Sequence, residues 1–117
     1  MTLTIIDGPT IKQGESLSDG ADCSAGNIVR ITVPQEYTSA NLTFQVSSDG
    51  NLYNDLHDAA GTEVSIVAKA DTGIVVSGAW AAGINFIRLR SGTRDNPVLQ
   101  AVDCKFAIAV RTDAAAP

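Results

Sequence analysis

His57, the only histidine in the sequence, is the side chain best suited to acid–base catalysis at neutral pH. It stands in the segment "NDLHDAAG", whose composition is typical of a turn. A catalytic triad would also need a nucleophile, and the sequence contains no G-x-S-x-G motif to supply one. We therefore expect His57 to be an exposed turn residue and the chain to contain no catalytic residue.

Oxygen-bearing side chains are concentrated around this histidine. Asp49, Asn51, Asp55 and Asp58 are ligands of the kind that Ca²⁺ prefers, and two carboxylates could serve a glycosidase. Their spacing does not match the D-x-[DN]-x-[DN]-G motif of a calcium loop. The acidic residues of "SSDGN" and "HDAAG" are better explained as turn formers, because a carboxylate there accepts hydrogen bonds from backbone N–H groups. We expect neither a metal nor a cofactor.

Aromatic side chains offer a second kind of chemistry, the stacking of sugar rings. Tyr53 and Trp80 stand near predicted strand ends or loops, where the ligand-binding residues of β-sandwiches gather. Together with His57 they define a candidate carbohydrate platform. The segment "SGAWAAG" is equally typical of a tryptophan that caps a core or lies in an interface.

Three arginines cluster late in the chain. Arg88 and Arg90 are two residues apart in a predicted strand and therefore share one face, and Arg94 lies in the next loop. We expect an exposed structural pair. The main alternative is that these residues bind an acidic surface on another subunit, because arginine is favoured at interfaces.

Cys23 and Cys104, the two cysteines, lie far apart in sequence and show no C-x-x-C spacing, which argues against a zinc site. A disulfide between them would close a long loop and stabilise the fold by several kcal/mol in the chain-entropy model. A reducing cytoplasm argues against early formation of such a bond. An intrachain disulfide, two buried free thiols and interchain links all remain open.

Apolar residues recur with period 2 along most of the chain, which predicts β-strands. "NLTFQVS" directs Leu42, Phe44 and Val46 inward, and "NIVRITVP" places Val29, Ile31 and Val33 on one face. Turn residues separate the runs at the spacing typical of sandwiches and barrels. We predict an all-β fold, a single antiparallel, jelly-roll-like β-sandwich of about seven or eight strands over residues 1–112, with a short tail at 113–117. The predicted strands are 3–5, 27–34, 41–47, 62–68, 73–80, 84–91 and 104–112.

Residues 47–61 are expected to form a hairpin between two of these strands, with Leu52 or Leu56 anchoring it to the core. The small residues Ala107 and Ala109 share one face of the last strand. That face is a candidate for close packing, either against another sheet or chain or inside the same sandwich.

Charge and hydropathy exclude several classes of function. The net charge is −5 and only eight residues are basic, so the clustered cations that bind nucleic acid are missing. The longest apolar runs are too short for a membrane span, and "TLTIIDGPT" after Met1 lacks the features of a secretory signal. We expect no nucleic acid or membrane partner and synthesis in a cytoplasm.

The segment "LTFQVSSDGNLYNDL", followed later by "FIRLRSG", is similar to discoidin or coagulation-factor C domains. In these galactose-binding-like jelly rolls a strand ends in an S-x-DG hairpin followed by an aromatic residue, matched here by Ser48, Asp49, Gly50 and Tyr53. A later strand reads aromatic-Ile-Arg-Leu, matched here by 86–89. The tryptophan usual after the hairpin is missing. The resemblance implies a sandwich fold.

A second similarity covers residues 28–112. The order "ITVP", "ANLTFQVSSDG", "RLRSGT" and "NPVLQAVD" resembles small β-sandwich proteins encoded by tailed bacteriophages and prophages. The resemblance implies a structural part of the virion, of the head decoration, spike or neck type. We therefore expect a non-enzymatic protein that stabilises or decorates a capsid through protein–protein interfaces.

The partners expected for such a protein are the major capsid protein or neighbouring virion proteins, together with further copies of itself. A trimer is favoured by analogy with decoration proteins. The alternative is a carbohydrate-binding module that recognises host surface polysaccharide through the loops around Tyr53, His57 and Trp80. A binding module should leave Tyr53 or Trp80 exposed, whereas a decoration protein should bury Trp80 or place it between subunits.

Overall fold

The computed structural model of the protein describes residues 2–112, so the predicted tail at 113–117 lies outside the described residues. This part of the chain forms a short 3-10 helix, Ala79–Gly83, and eight strands. No helix among these residues is long and apolar enough to cross a membrane. The strands are β1 Thr2–Ile11, β2 Ala21–Asp22, β3 Asn27–Thr32, β4 Leu42–Ser47, β5 Asn54–Asp55, β6 Gly73–Val75, β7 Phe86–Ser91 and β8 Cys104–Thr112.

The strands build two antiparallel four-stranded sheets that pack as a sandwich. The front sheet has the order β1-β8-β3-β6, and the back sheet has the order β2-β7-β4-β5. The first strand thus pairs with the last, the second with the seventh, the third with the sixth and the fourth with the fifth. These nested pairs are those of one long hairpin wound into two sheets, which is the jelly-roll arrangement. The predicted sandwich is confirmed.

Period-2 alternation places the apolar residues between the two sheets, as the sequence predicts for β4. Phe44 and Leu89 are opposite one another on the inner face of the back sheet and are fully buried. Ile31 and Ile108 occupy the equivalent places on the front sheet. Burial of these side chains supplies the main favourable free energy of folding.

A β-bulge in β3 corrects the predicted alternation. Ile28 lies opposite Val110 and Arg30 lies opposite Ala109, so Val29 is an extra residue without a partner of its own. The bulge turns Ile28 and Ile31 to the same interior face, where both are buried, whereas Val29 is only half-buried. The prediction that Val29 lies on the same face as Ile31 was wrong, because an inserted residue reverses the alternation.

The predicted strand at 62–68 is not a regular strand. Glu63 and Ile66 each form one isolated bridge, to His57 and Leu42 respectively. The chain here leaves the edge of the back sheet to reach the front sheet, so a continuous ladder cannot form. The predicted strand at 73–80 likewise ends at Val75, and the 3-10 helix follows.

The outer face of the front sheet is open to solvent. Leu3 and Ile5 of β1 and Val75 of β6 are 48%, 53% and 79% exposed there. Ala109 of β8 points to this outer face and lies between Ile5 and Arg30 in the sheet register, with only 1% of its surface exposed. The alanine face of the last strand therefore lies outside the sandwich, not within it.

Cys23 and Cys104 are free thiols, and both are fully buried. Of the alternatives left open by the sequence, the structure has two buried thiols and no disulfide at these positions. Burial, reinforced by the neighbouring charge of Asp22, raises the pKa of Cys23 from its ordinary value of 9.0 to about 12. Burial also raises the pKa of Cys104, and the nearby charges of Glu36 and Asp103 raise it further.

We predict that neither thiol reacts with an aromatic disulfide reagent while the protein is folded at mildly alkaline pH, because the thiolate form is suppressed and shielded. Both should react once the chain is unfolded in urea. Rapid reaction of either cysteine in the folded protein would contradict the burial.

The raised pKa of Cys23 also makes stability depend on pH. Between pH 9.0, the ordinary pKa of the thiol, and pH about 12, its pKa in the folded protein, the Cys23 thiol loses its proton in the unfolded chain but keeps it in the folded protein. Within that range the free energy of unfolding should fall by up to about 1.4 kcal/mol per pH unit for this group. Urea unfolding across alkaline pH measures the slope. A Cys23→Ala variant is the matched control and should show a smaller slope.

Candidate functional site

The outer face of the back sheet carries the arginines that the sequence singles out. Ile87 and Leu89 of β7 are fully buried between the sheets, so Arg88 and Arg90, which alternate with them, project from the opposite face. The two arginines have different surroundings there. Arg88 is half-buried beside an aromatic ring, and Arg90 is only 6% exposed within a group of charges.

Arg90 binds two carboxylates at once. Its Nη2 donates to Asp55 Oδ1, and its Nη1 donates to Glu63 Oε2 at 3.2 Å. Arg94 adds a second cation, with its Nε 3.2 Å from Asp55 Oδ2 and its backbone N–H donating to Glu63 Oε2 at 3.1 Å. We call these four residues the arginine–carboxylate cluster. The prediction of an exposed arginine pair was wrong for Arg90, because the segment carrying Asp55 and Glu63 folds over it.

Strand pairing positions the two carboxylates. Asp55 lies in β5 opposite Gln45 of β4, whose side-chain Nε2 donates to Asp55 Oδ1 at 3.3 Å. Glu63 is held by its bridge to His57. The cluster ties the edge of the back sheet to β7. Its two cations and two carboxylates balance one another, so it has no net charge to offer a ligand. Sequence patterns alone do not single out Glu63, because its partner Arg90 is distant in sequence.

Tyr53 and Arg88 form a cation–π pair. The guanidinium carbon of Arg88 lies 4.1 Å from the centre of the Tyr53 ring. The guanidinium group therefore covers one face of that ring. The tyrosine hydroxyl reaches Gly20, where a Cβ atom would lie 2.2 Å from it. Any side chain at position 20 would displace the ring. Among residues 2–112, Arg88 has no carboxylate within ion-pair distance.

Trp80 lies on the other side of the same sheet. It is half-buried in the 3-10 helix, and its ring centre is 4.9 Å from that of Phe44, whose ring belongs to the interior. His57 is exposed, and its Nδ1 lies 3.3 Å from the carbonyl oxygen of Asp55. The structure therefore does not assemble Tyr53, His57 and Trp80 into one platform.

The predicted turn-forming role of Asp49 is confirmed. Its Oδ1 accepts hydrogen bonds from the backbone N–H groups of Asn51 at 2.8 Å and Leu52 at 3.0 Å. These bonds, together with one from the Ser47 hydroxyl, hold the pKa of the Asp49 carboxyl below its usual value. The carboxylate is thus committed to its own turn.

Asp58 forms the second turn of the hairpin in the same way. Its Oδ1 accepts hydrogen bonds from the backbone N–H groups of Ala60 at 2.9 Å and Thr62 at 3.0 Å. Between the two turns, Leu56 packs against the core, whereas Leu52 is 70% exposed. Leu56 is therefore the anchor.

Within the described range 2–112, no three His, Cys, Asp or Glu side chains come together where they could hold a metal ion. Two shallow clefts open on the surface. One of about 260 Å³ includes Ser48, Asn54 and Asn85, and one of about 380 Å³ includes Lys12, Glu15 and Arg88. The charges lining the second cleft are of mixed sign, and in the first cleft the Ser47 hydroxyl donates to Asp49 Oδ1 at 3.0 Å as part of the turn.

No family model, curated protein or solved structure matches this chain. The function is therefore inferred from the chemistry of the surfaces and from the resemblance carried by the sequence motifs.

We predict that replacing Arg90 by Met lowers the free energy of unfolding by about 2–4 kcal/mol, because Asp55 and Glu63 lose their buried partner. Both carboxylates are about one-fifth exposed, which lets water offset part of the loss. Arg94→Met is the matched control: its side chain is 66% exposed, and we expect a loss below about 1 kcal/mol. Urea unfolding followed by circular dichroism measures both. Equal losses would contradict the proposed division of roles.

Proposed function

We propose that this protein is a non-enzymatic structural component of a tailed-bacteriophage virion, bound to the capsid exterior as a decoration or head-spike protein. Its partners are the major capsid protein or neighbouring virion proteins, and further copies of itself. The "RLRSGT" and "NPVLQAVD" motifs carry the resemblance on which the virion assignment rests.

The observation that best supports an assembly role is the open outer face of the front sheet. Three of the large apolar side chains that are exposed in residues 2–112, Leu3, Ile5 and Val75, lie on this one face. Arg30 of β3 and Arg111 of β8 project from the same face beside Ala109, so the face combines apolar edges with long basic side chains at its centre. Several exposed apolar side chains on one face of a sheet are typical of protein–protein contacts.

The mechanism proposed for such a protein is the addition of interface area. Each copy forms many weak contacts with its neighbours, and together they stabilise the shell against internal pressure. A standard interface of roughly 1,600 Å² is sufficient for stable association. No acid–base or redox chemistry is required, which agrees with buried, protonated thiols and a charge cluster that is neutral overall.

The carbohydrate-binding alternative has less support from the geometry. A sugar platform needs an accessible aromatic face, and Tyr53 gives one of its faces to Arg88. Trp80 packs against Phe44 in the interior. These contacts are those of residues that complete the fold.

We predict that an antiserum raised against the purified protein labels intact particles of the phage or prophage that encodes it. Immunogold electron microscopy should place the label on the head. Particles from which the gene has been deleted are the control and should remain unlabelled. Label confined to the host envelope, or to unassembled protein in the lysate, would contradict the proposal.

We further predict that light scattering gives a solution mass that is a multiple of the chain mass of 12.2 kDa, and that reductant leaves this mass unchanged. The second result follows because both thiols are buried and cannot link chains. Dissociation by reductant alone would contradict it. The resemblance to decoration proteins favours a trimer.

A further inference from the structure

The first half of β1, residues 2–7, is an edge with an unused hydrogen-bonding side. It pairs with β8 on one side, from Thr2 opposite Thr112 to Asp7 opposite Ala107. On its other side it has no backbone partner among the described residues. The sequence "TLTII" contains none of the usual devices that block such an edge, namely a charge, a proline or a bulge.

The second half of the same strand, unlike the first, is protected from pairing with another strand. The backbone N–H of Thr10 donates to Asp19 Oδ1 at 2.8 Å, and the N–H of Asp19 donates to the carbonyl of Thr10 at 3.3 Å. Pro9 has no N–H to offer a neighbouring strand. The fold thus closes the edge from Pro9 onward and leaves the preceding residues open.

The open half also has two exposed faces. Leu3 and Ile5 are exposed on the outer side, and Thr2 and Thr4 are exposed on the inner side. The back sheet does not cover this end of the strand. Backbone groups and β-branched or apolar side chains are all available here to an incoming strand.

We propose that residues 2–6 pair antiparallel with the same residues of a second copy across a twofold axis. The two front sheets would then form one continuous sheet of eight strands. With the axis at Thr4, Leu3 of each copy lies opposite Ile5 of the other. Four apolar side chains form one patch on the outer face, in positions where cross-strand pairs stabilise a sheet.

A second copy is the occupant best matched to this edge. An antiparallel pair about a twofold axis needs a segment that is complementary to itself, and "TLTII" meets that condition because Leu3 and Ile5 flank Thr4 symmetrically. Each copy carries a net charge of −5 and repels the other elsewhere, but this segment is uncharged up to Asp7. Contact here therefore brings together the parts of the two copies that repel least.

This inference rests on the proposed assembly role and identifies the contact that would serve it. It predicts a dimer as the unit of association in place of the trimer that the resemblance favours. The opposite edge of the front sheet, β6, has only three residues and is a poorer site for pairing.

Interchain crosslinking tests both the pairing and its register. A Thr4→Cys variant places two thiols across the axis, at the Cα separation of about 4.5–5.5 Å that antiparallel partners have and disulfides accept. Mild oxidation should produce a covalent dimer. Thr2→Cys is the matched control, because position 2 lies opposite position 6 and its thiols are too far apart. The native cysteines are buried and do not interfere. Crosslinking at position 2, or at neither position, would overturn the inference.

Light scattering across a concentration series separates edge pairing from stacking of the outer faces. Ile5→Lys should weaken dimerisation by about tenfold or more, because it puts a charge into the apolar patch. Val75→Lys changes a more exposed residue of the same outer face at the far edge and should leave the dimer intact. Thermal unfolding confirms that both variants fold. Dissociation by Val75→Lys, or no effect of Ile5→Lys, would overturn edge pairing.

The particle-labelling experiment distinguishes this inference from the virion proposal. Labelled heads with no crosslink at position 4 would reject the strand pairing and leave the virion role supported. Crosslinked dimers without labelled heads would support the pairing and reject the virion role.

Discussion

The position of β8 at the centre of the front sheet is the constraint on which the rest of the molecule depends. This strand pairs with β1 on one side and β3 on the other, so the sheet forms only when the end of the chain returns to its beginning. Its inward residues, Phe106, Ile108 and Val110, then close the core against the back sheet. The same strand sends Ala109 outward, where it lies between Ile5 and Arg30 of the neighbouring strands and is only 1% exposed.

The two outer faces of the sandwich differ in how far their side chains are covered by the rest of the molecule. On the back sheet, Arg90 binds Asp55 and Glu63, which lie over the strands, and Tyr53 covers one side of Arg88. On the front sheet, apolar residues stay uncovered at both edges. An internal ion-pair cluster specifies where the hairpin lies, whereas the uncovered face leaves favourable contacts to be made with another molecule.

Sequence patterns were sufficient for the sandwich and for local turns, because both depend on short-range chemistry. The alternation in β4 and the carboxylates of Asp49 and Asp58 illustrate this. The patterns missed the Val29 bulge and the burial of Arg90, since both depend on strands that are remote in sequence. Alternation also cannot tell which strands are neighbours, so the nested order and the open edge of β1 emerged only from the fold.

The sealed thiols have a consequence for where such a protein can work. Cys23 and Cys104 are kept protonated and out of reach inside the core, so no covalent bond need form or break when the surroundings change from reducing to oxidising. In the proposed virion role, the protein would be made inside a living cell and released into air-saturated water, and it would meet that change within its lifetime. This molecule would keep one covalent structure on both sides of the boundary, with its shape set by non-covalent contacts alone.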